Sequence, residues 1–202
     1  MSRPDEVGLP LPVELVAAVH AAAAGGTPGR PAVIAVDGPA GSGKTSLAAL
    51  LANRLGDGEH DVPVVHMDDL FPGWDGLADA VPRLLEWVLG PLAGEGVARW
   101  RRYDWVAGGY AEWHEVPRSP VVVVEGVASG SRACAPHLAL LVWVEASLDV
   151  RLARGLARDS DAFAPYWDRW AAQEQVHFTA ERTRERADLR LATDDGSPRL
   201  LS

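Results

Sequence analysis

The sequence alternates short runs of apolar residues with longer stretches in which apolar and polar positions are mixed at helical spacing. The apolar runs predict five buried strands, at 32–37, 62–67, 121–126, 138–146 and 187–193. The mixed stretches predict helices at 12–24, 45–55, 77–89, 147–159 and 166–184. Strands of continuous apolar residues that alternate with helices indicate a parallel sheet covered on both faces. The predicted fold class is therefore α/β, with a five-stranded, mostly parallel sheet.

Local features refine these elements. The first helix is predicted to be amphipathic from the spacing of Val13, Val16, Val19 and His20. Pro82 lies inside the third helix and predicts a late start, because proline has no N–H to donate within a helix. The aromatic segment 97–120 predicts a loop or a hairpin. No repeat or linker interrupts the chain, so we expect a single domain over 1–202, with 1–31 as an N-terminal helix and loop.

Composition narrows the class of protein. The net charge of −9 argues against nucleic acid as a partner, because binding to a phosphate backbone needs a basic surface. No stretch has the length and apolarity of a membrane span or a signal peptide. Cys134 is the single cysteine, and the six histidines are not clustered at metal-ligand spacing. We therefore expect a cytoplasmic, soluble enzyme with no membrane partner, and a homo-oligomer remains an open alternative.

One segment carries the only lysine of the chain, Lys44, against eighteen arginines. Residues 38–45 read GPAGSGKT and match the phosphate-binding loop pattern G-x-x-x-x-G-K-[ST] at every fixed position. Glycines let backbone N–H groups surround an anion, and lysine is a compact charge that reaches the β- and γ-phosphates of a nucleotide. A strand before the loop and a helix after it are the context that this motif needs. The expected nucleotide-binding residues are Gly38, Ala40, Gly41, Ser42, Gly43, Lys44, Thr45 and Ser46.

Other classes of phosphate-loop protein fit the sequence less well. A guanine-reading N-K-x-D segment is excluded, because the only lysine lies in the phosphate loop. A motor ATPase usually carries paired acidic residues at the end of a central strand, whereas the strand at 121–126 ends in the single carboxylate of Glu125. A kinase for a small molecule is therefore favoured.

Several motifs, in order along the chain, resemble the uridine kinase and phosphoribulokinase group of P-loop kinases. They are VDGPAGSGKTSLA, HMDDLF, RYDW, VVVVEG, DVRLARGLARD and RERADL, which together span about 32–191. The resemblance implies a P-loop kinase fold with an arginine-bearing lid at about 155–166. It also implies ATP and Mg²⁺ as cofactors and a small-molecule acceptor with a hydroxyl group, with the 5′-hydroxyl of a nucleoside favoured.

The resemblance also implies roles for individual residues. Asp68 is the expected general base, while its neighbour Asp69 is expected to be a turn residue or a water-mediated Mg²⁺ contact. Thr45 and Glu125 are the expected metal-site residues. Arg154 and Arg158 are expected to bind phosphate oxygens from the lid helix, whereas Arg151 is expected to form a structural ion pair.

The acceptor site is implied by three residues. Trp74 and Asp75 resemble an aromatic–Asp pair that holds sugar hydroxyls, and Tyr103 resembles an aromatic residue that contacts the base. The chain departs from the nucleoside kinase pattern where Gly108 replaces a histidine and Gly155 replaces the second arginine of the lid pair. Pantothenate, a sugar or a nucleoside monophosphate therefore remain alternative acceptors. A nucleotide-binding regulatory module without transfer activity is the alternative from another class.

Overall fold

The computed structural model describes residues 11–56, 61–94 and 96–201, with the backbone alone for 158–164. Its eight described strands are β1 (Ala32–Asp37), β2 (Val64–His66), β3 (Arg99–Asp104), β4 (Gly109–Glu115), β5 (Val121–Glu125), β6 (Leu140–Glu145), β7 (Leu189–Ala192) and β8 (Arg199–Leu200). The main sheet has the order β2-β5-β1-β6-β7-β8. The first five of these strands pair in parallel, and only β8 is antiparallel to its neighbour. The predicted α/β class and its five parallel strands are confirmed, and β8 is a short addition.

The described helices are α1 (Val13–Ala23), α2 (Lys44–Leu55), α3 (Leu77–Arg83), α4 (Gly90–Ala93), α5 (Leu148–Phe163), α6 (Trp167–Glu181) and α7 (Thr183–Arg186). The prediction that Pro82 delays α3 is wrong, because α3 begins at Leu77 and includes the proline. The helix widens into π-helical turns over Leu84–Leu89, which begin two residues after Pro82, and then continues into α4. The missing N–H of Pro82 therefore coincides with a change of helical pitch and not with a helix start.

The sheet separates two apolar cores, because successive side chains of a strand point to opposite faces. Val33 of β1 packs into the core beneath α3, α6 and the β3–β4 hairpin. Its neighbour Ile34 packs into the other core, with α1 and α2. The buried face of α1 is Leu15 and Val19, while Val13 is 79% exposed. The predicted amphipathic helix is present, but its apolar stripe is rotated from the one that the valine spacing predicts.

The segment predicted as a loop or hairpin is a hairpin, in which β3 and β4 are antiparallel. It packs against a 3₁₀ turn, Met67–Asp69, that follows β2. The Trp100 indole N–H donates to the Asp69 carboxylate at 2.8 Å, and the Tyr110 hydroxyl donates to the Leu70 carbonyl at 2.7 Å. The hairpin therefore fixes the turn that carries Asp68.

Three loops leave the carboxyl ends of adjacent strands at one edge of the sheet. The phosphate loop follows β1, the 3₁₀ turn follows β2, and Gly126 follows β5. In parallel sheets, ligands bind at this edge, where the strand order reverses. The fold therefore indicates a ligand site at these three loops. Within the described residues, no helix combines the length and apolarity needed to cross a membrane.

Candidate active site

The loop between β1 and α2 has the backbone shape of an anion cradle. Gly38, Gly41 and Gly43 have φ values of +146°, +76° and +91°, which favour glycine over residues with a side chain. A Cβ on Gly41 would lie 2.3 Å from the carbonyl oxygen of Arg151, so the loop also packs closely on α5. Because α2 begins at Lys44, its unpaired N–H groups add to those of the loop.

The loop is anchored from below by Asp37, the last residue of β1, whose side chain is fully buried. Its carboxylate accepts the backbone N–H of Gly38 at 2.7 Å, of Ala128 at 3.0 Å and of Gly130 at 2.9 Å. Burial raises the pKa of Asp37 to about 7, although these N–H donors and nearby Lys44 oppose the rise. Asp37 therefore ties the phosphate loop to the loop that follows β5.

Lys44 has its side chain curled back over the loop. Its Nζ donates to the Pro39 carbonyl at 2.9 Å, and the residue is 8% exposed. This conformation places the only lysine of the chain inside the cradle. There its remaining N–H groups could donate to a phosphate oxygen. Ser42 and Gly38, by contrast, are buried and do not line the cavity described below.

A hydroxyl and a carboxylate meet at the start of α2. Thr45 Oγ1 donates to Glu125 Oε1 at 3.1 Å, and His66 Nδ1 lies 2.6 Å from the same oxygen. The hydrogen bond to Glu125 raises the pKa of His66. Hydroxyl and carboxylate oxygens suit Mg²⁺, which keeps several waters and takes the rest of its ligands from nucleotide phosphates. Thr45 and Glu125 therefore fit a magnesium site, and no cluster of three acidic, histidine or cysteine ligands occurs among the described residues.

Asp68 lies in the middle of the 3₁₀ turn after β2 and lines the same cavity as the phosphate loop. Its backbone carbonyl accepts the Trp105 indole N–H at 3.1 Å. The adjacent Asp69 points to the hairpin instead, where it accepts the Trp100 indole N–H. The two carboxylates of this turn thus have different surroundings, and the role of Asp68 as a base stays a prediction.

A cavity of about 720 Å³ joins these groups. It is lined by Ala40, Gly41, Gly43, Lys44, Thr45, Ser46, Asp68, Phe71, Trp74, Trp105, Glu125, Gly126, Val127, Arg154, Gly155 and Trp170. The lining combines the polar phosphate loop with four aromatic rings, those of Phe71, Trp74, Trp105 and Trp170. Ligand sites commonly combine an apolar wall with a few polar groups, and this cavity has that character.

The arginines of the predicted lid helix differ in their partners. Arg154 lines the cavity, and its guanidinium donates to the Thr193 carbonyl at 2.6 Å and to the Thr193 hydroxyl at 3.1 Å. The Thr193 hydroxyl in turn donates to the Ser42 carbonyl at 2.7 Å. Arg151 forms an ion pair with Glu174 at 3.6 Å, a partner that the sequence did not indicate. The side chain of Arg158 lies outside the described residues.

The three predicted acceptor residues are not brought together. Trp74 lines the cavity and stacks on Tyr166 with ring centroids 4.7 Å apart. Asp75 forms an exposed ion pair with Arg169 and is not among the lining residues. Tyr103 packs edge-on against Trp105, behind the cavity wall. Their substrate roles stay predictions.

Other residues of the site carry no signal in the sequence. Phe71 and Trp170 form cavity walls, and His66 contacts Glu125 because β2 and β5 are paired in register. Glu174 lies deep in α6, where the sequence predicts only a charged helix, yet its carboxylate accepts the N–H of Ala40. Each of these contacts depends on strand order or helix packing, so local patterns could not reveal it.

No family model matches this chain, and no curated protein matches it. Solved structures do match. A possible uridine kinase from Bacillus stearothermophilus is 20% identical over 88% of this chain and 99% of its own, with a TM-score of 0.60. A "putative fructose transport system kinase" from Silicibacter sp. TM1040 is 21% identical over 86% and 93%, with a TM-score of 0.57. The YGR205w protein is 14% identical over 85% and 90%, with a TM-score of 0.52. These likenesses establish that the chain has the fold of the P-loop kinases.

Proposed function

We propose that this protein is an ATP- and Mg²⁺-dependent kinase that phosphorylates a hydroxyl group of a small molecule. One observation carries the proposal. A single cavity is lined by Lys44, Thr45, Asp68, Glu125 and Arg154, which come from widely separated parts of the chain. Phosphoryl transfer needs this combination, because the enzyme must hold a triphosphate, position a hydroxyl and neutralise charge. The two more similar neighbours are described as kinases for a nucleoside and in a sugar transport system, which supports the same reaction class.

In the proposed mechanism, Lys44 and the loop N–H groups bind the β- and γ-phosphates of ATP. Mg²⁺ held at Thr45 and Glu125 would neutralise phosphate charge. The Asp68 carboxylate takes the proton of the acceptor hydroxyl while the oxygen of that hydroxyl bonds to the γ-phosphorus. The bond from that phosphorus to the β–γ bridging oxygen breaks, and ADP leaves with the electron pair. Arg154, and Arg158 once the lid closes, stabilise the transferring group.

The favoured acceptor is the 5′-hydroxyl of a nucleoside. The aromatic lining of the cavity supports this choice, since the Trp74 and Trp105 rings give a planar base an apolar surface to contact. Asp75 would reach sugar hydroxyls only after release from Arg169. The same walls also suit the less polar face of a sugar, so a sugar kinase is the second candidate.

A coupled assay of ADP release across nucleosides, pantothenate and simple sugars tests the proposal. We expect Asp68→Asn to cut acceptor-dependent turnover at least about a hundredfold, in line with general base catalysis, with nucleotide affinity near normal. Asp69→Asn is the matched control. It weakens the contact with Trp100 and should reduce stability while leaving turnover within a few-fold. Binding of ATP with no ADP release for any acceptor would instead identify a regulatory module.

A further inference from the structure

The phosphate loop is held by a carboxylate that the proposed mechanism does not use. Glu174 of α6 is 4% exposed, and its Oε1 accepts the backbone N–H of Ala40 at 2.7 Å. Ala40 is the third residue of the loop, 134 positions earlier in the chain. On the other side of that residue, Arg151 of α5 donates to the Ala40 carbonyl at 3.2 Å. The loop is thus held at Ala40 by side chains of both α5 and α6.

The same oxygen of Glu174 has a second donor. The Trp170 indole N–H donates to Oε1 at 2.8 Å, and the ring of Trp170 lines the cavity. One atom therefore fixes a wall of the acceptor region relative to the tip of the phosphate loop. The other oxygen, Oε2, lies at the longer distance of 3.6 Å from Arg151.

We propose that Glu174 is a positioning residue that aligns the phosphate loop with the acceptor cavity through the hydrogen bonds accepted by its Oε1, and not through its charge. The geometry supports this division, because both short contacts converge on Oε1 while the ion pair is long. The surroundings agree with it. Burial raises the pKa of Glu174 against the opposing influence of Lys44, and a full negative charge would repel the triphosphate beside it. A misplacement of about 1 Å in such a site can cost a hundredfold in rate.

Two conservative substitutions separate position from charge. Glu174→Gln keeps a carbonyl oxygen at the Oε1 position and removes the charge. Glu174→Asp keeps the charge and withdraws the oxygen by one methylene. Gln175→Asn is the matched control, because it shortens the exposed neighbour on α6 by the same methylene.

The experiment measures the affinity of each variant for a non-hydrolysable ATP analogue with Mg²⁺ by calorimetry, and kcat with the best acceptor of the screen. We expect Glu174→Gln and Gln175→Asn to stay within threefold of wild type in both quantities. Glu174→Asp should bind the analogue about tenfold more weakly and lose about a hundredfold in kcat. A loss in Glu174→Gln, or wild-type behaviour in Glu174→Asp, overturns the inference.

The inference rests on the proposed function only for the kcat measurement. If no acceptor is phosphorylated but the analogue binds wild type, the proposed function fails and the affinities alone decide the role of Glu174. If wild type does not bind the analogue at all, both proposals are wrong.

Discussion

Burial raises the pKa of Asp37 and hydrogen bonding lowers it, and the pH dependence of stability in an Asp37 variant measures which effect is larger. In Asp37→Asn, the remaining carbonyl oxygen can still accept from Gly38 and Ala128, which both donate to Oδ1. The new amide N–H₂ would face the N–H of Gly130, which donates to Oδ2 in the native protein. One buried N–H then has no acceptor, and this costs about 2 kcal/mol. We expect that loss of unfolding free energy at pH 5.

The unfolding free energy lost through Asp37→Asn should become smaller as the pH rises. The pKa of Asp37 is about 7 in the folded protein, against 3.8 for the ordinary carboxyl. Between these values the folded state holds a proton that the unfolded state has released, so the stabilisation present at low pH is lost as the pH approaches 7. From pH 5 to pH 7 this amounts to about 2 kcal/mol, because the slope of about 1.4 kcal/mol per pH unit falls off as the pH reaches the pKa. The substituted protein lacks this group, and its deficit should approach zero by pH 8.

Urea unfolding followed by tryptophan fluorescence at pH 5 and pH 8 provides the measurement. Asp104→Asn is a control of opposite character. Asp104 is only partly buried, and the N–H groups of Ala107 and Val106 lower its pKa, so its contribution should not change between these pH values. A deficit for Asp37→Asn that is constant or grows with pH would refute the reasoning. It would mean that the three N–H donors outweigh burial and that the carboxylate is ionised throughout.

Two further predictions concern the phosphate loop. Lys44→Met should weaken ATP binding about 30-fold through the loss of a charge-assisted hydrogen bond. Calorimetry should find the affinity for AMP unchanged. Equal losses of affinity for both nucleotides would contradict this prediction. Gly41→Ala should abolish ATP binding and destabilise the fold by more than the ~1 kcal/mol expected for Gly108→Ala in thermal unfolding. Both glycines have similar positive φ, but only at Gly41 would the new Cβ meet the Arg151 carbonyl, so equal effects would be inconsistent with the close packing.

The sequence was sufficient for features that depend on local pattern. The run Val121–Val124 predicts a strand buried on both faces, and the spacing of Gly38, Gly43 and Lys44 predicts the cradle between a strand and a helix. Both are properties of contiguous residues. The position of Asp68 at the same cavity also follows from a general rule, since carboxyl ends of parallel strands share one edge.

Contacts between distant residues were beyond these patterns. Nothing near Asp75 in the sequence indicates that Arg169 will pair with it, because that contact depends on how α6 packs beside the turn before α3. The buried face of α1 was misplaced for a similar reason. Leu15 and Val19 are four apart and face the sheet, whereas the valine spacing alone includes Val13, which is exposed. Sequence periodicity identifies a helix but leaves its rotation to the surface on which it packs.

The bond from Thr193 to the Ser42 carbonyl has a consequence for biosynthesis. Translation produces Ser42 of the phosphate loop 151 residues before Thr193, whose hydroxyl donates to its carbonyl. A nascent chain that ended after α6 would contain the glycine-rich loop but would lack Thr193, which accepts the hydrogen bonds that hold Arg154 beside that loop. The contacts that link Ser42, Thr193 and Arg154 can therefore form only after β7 has been synthesised.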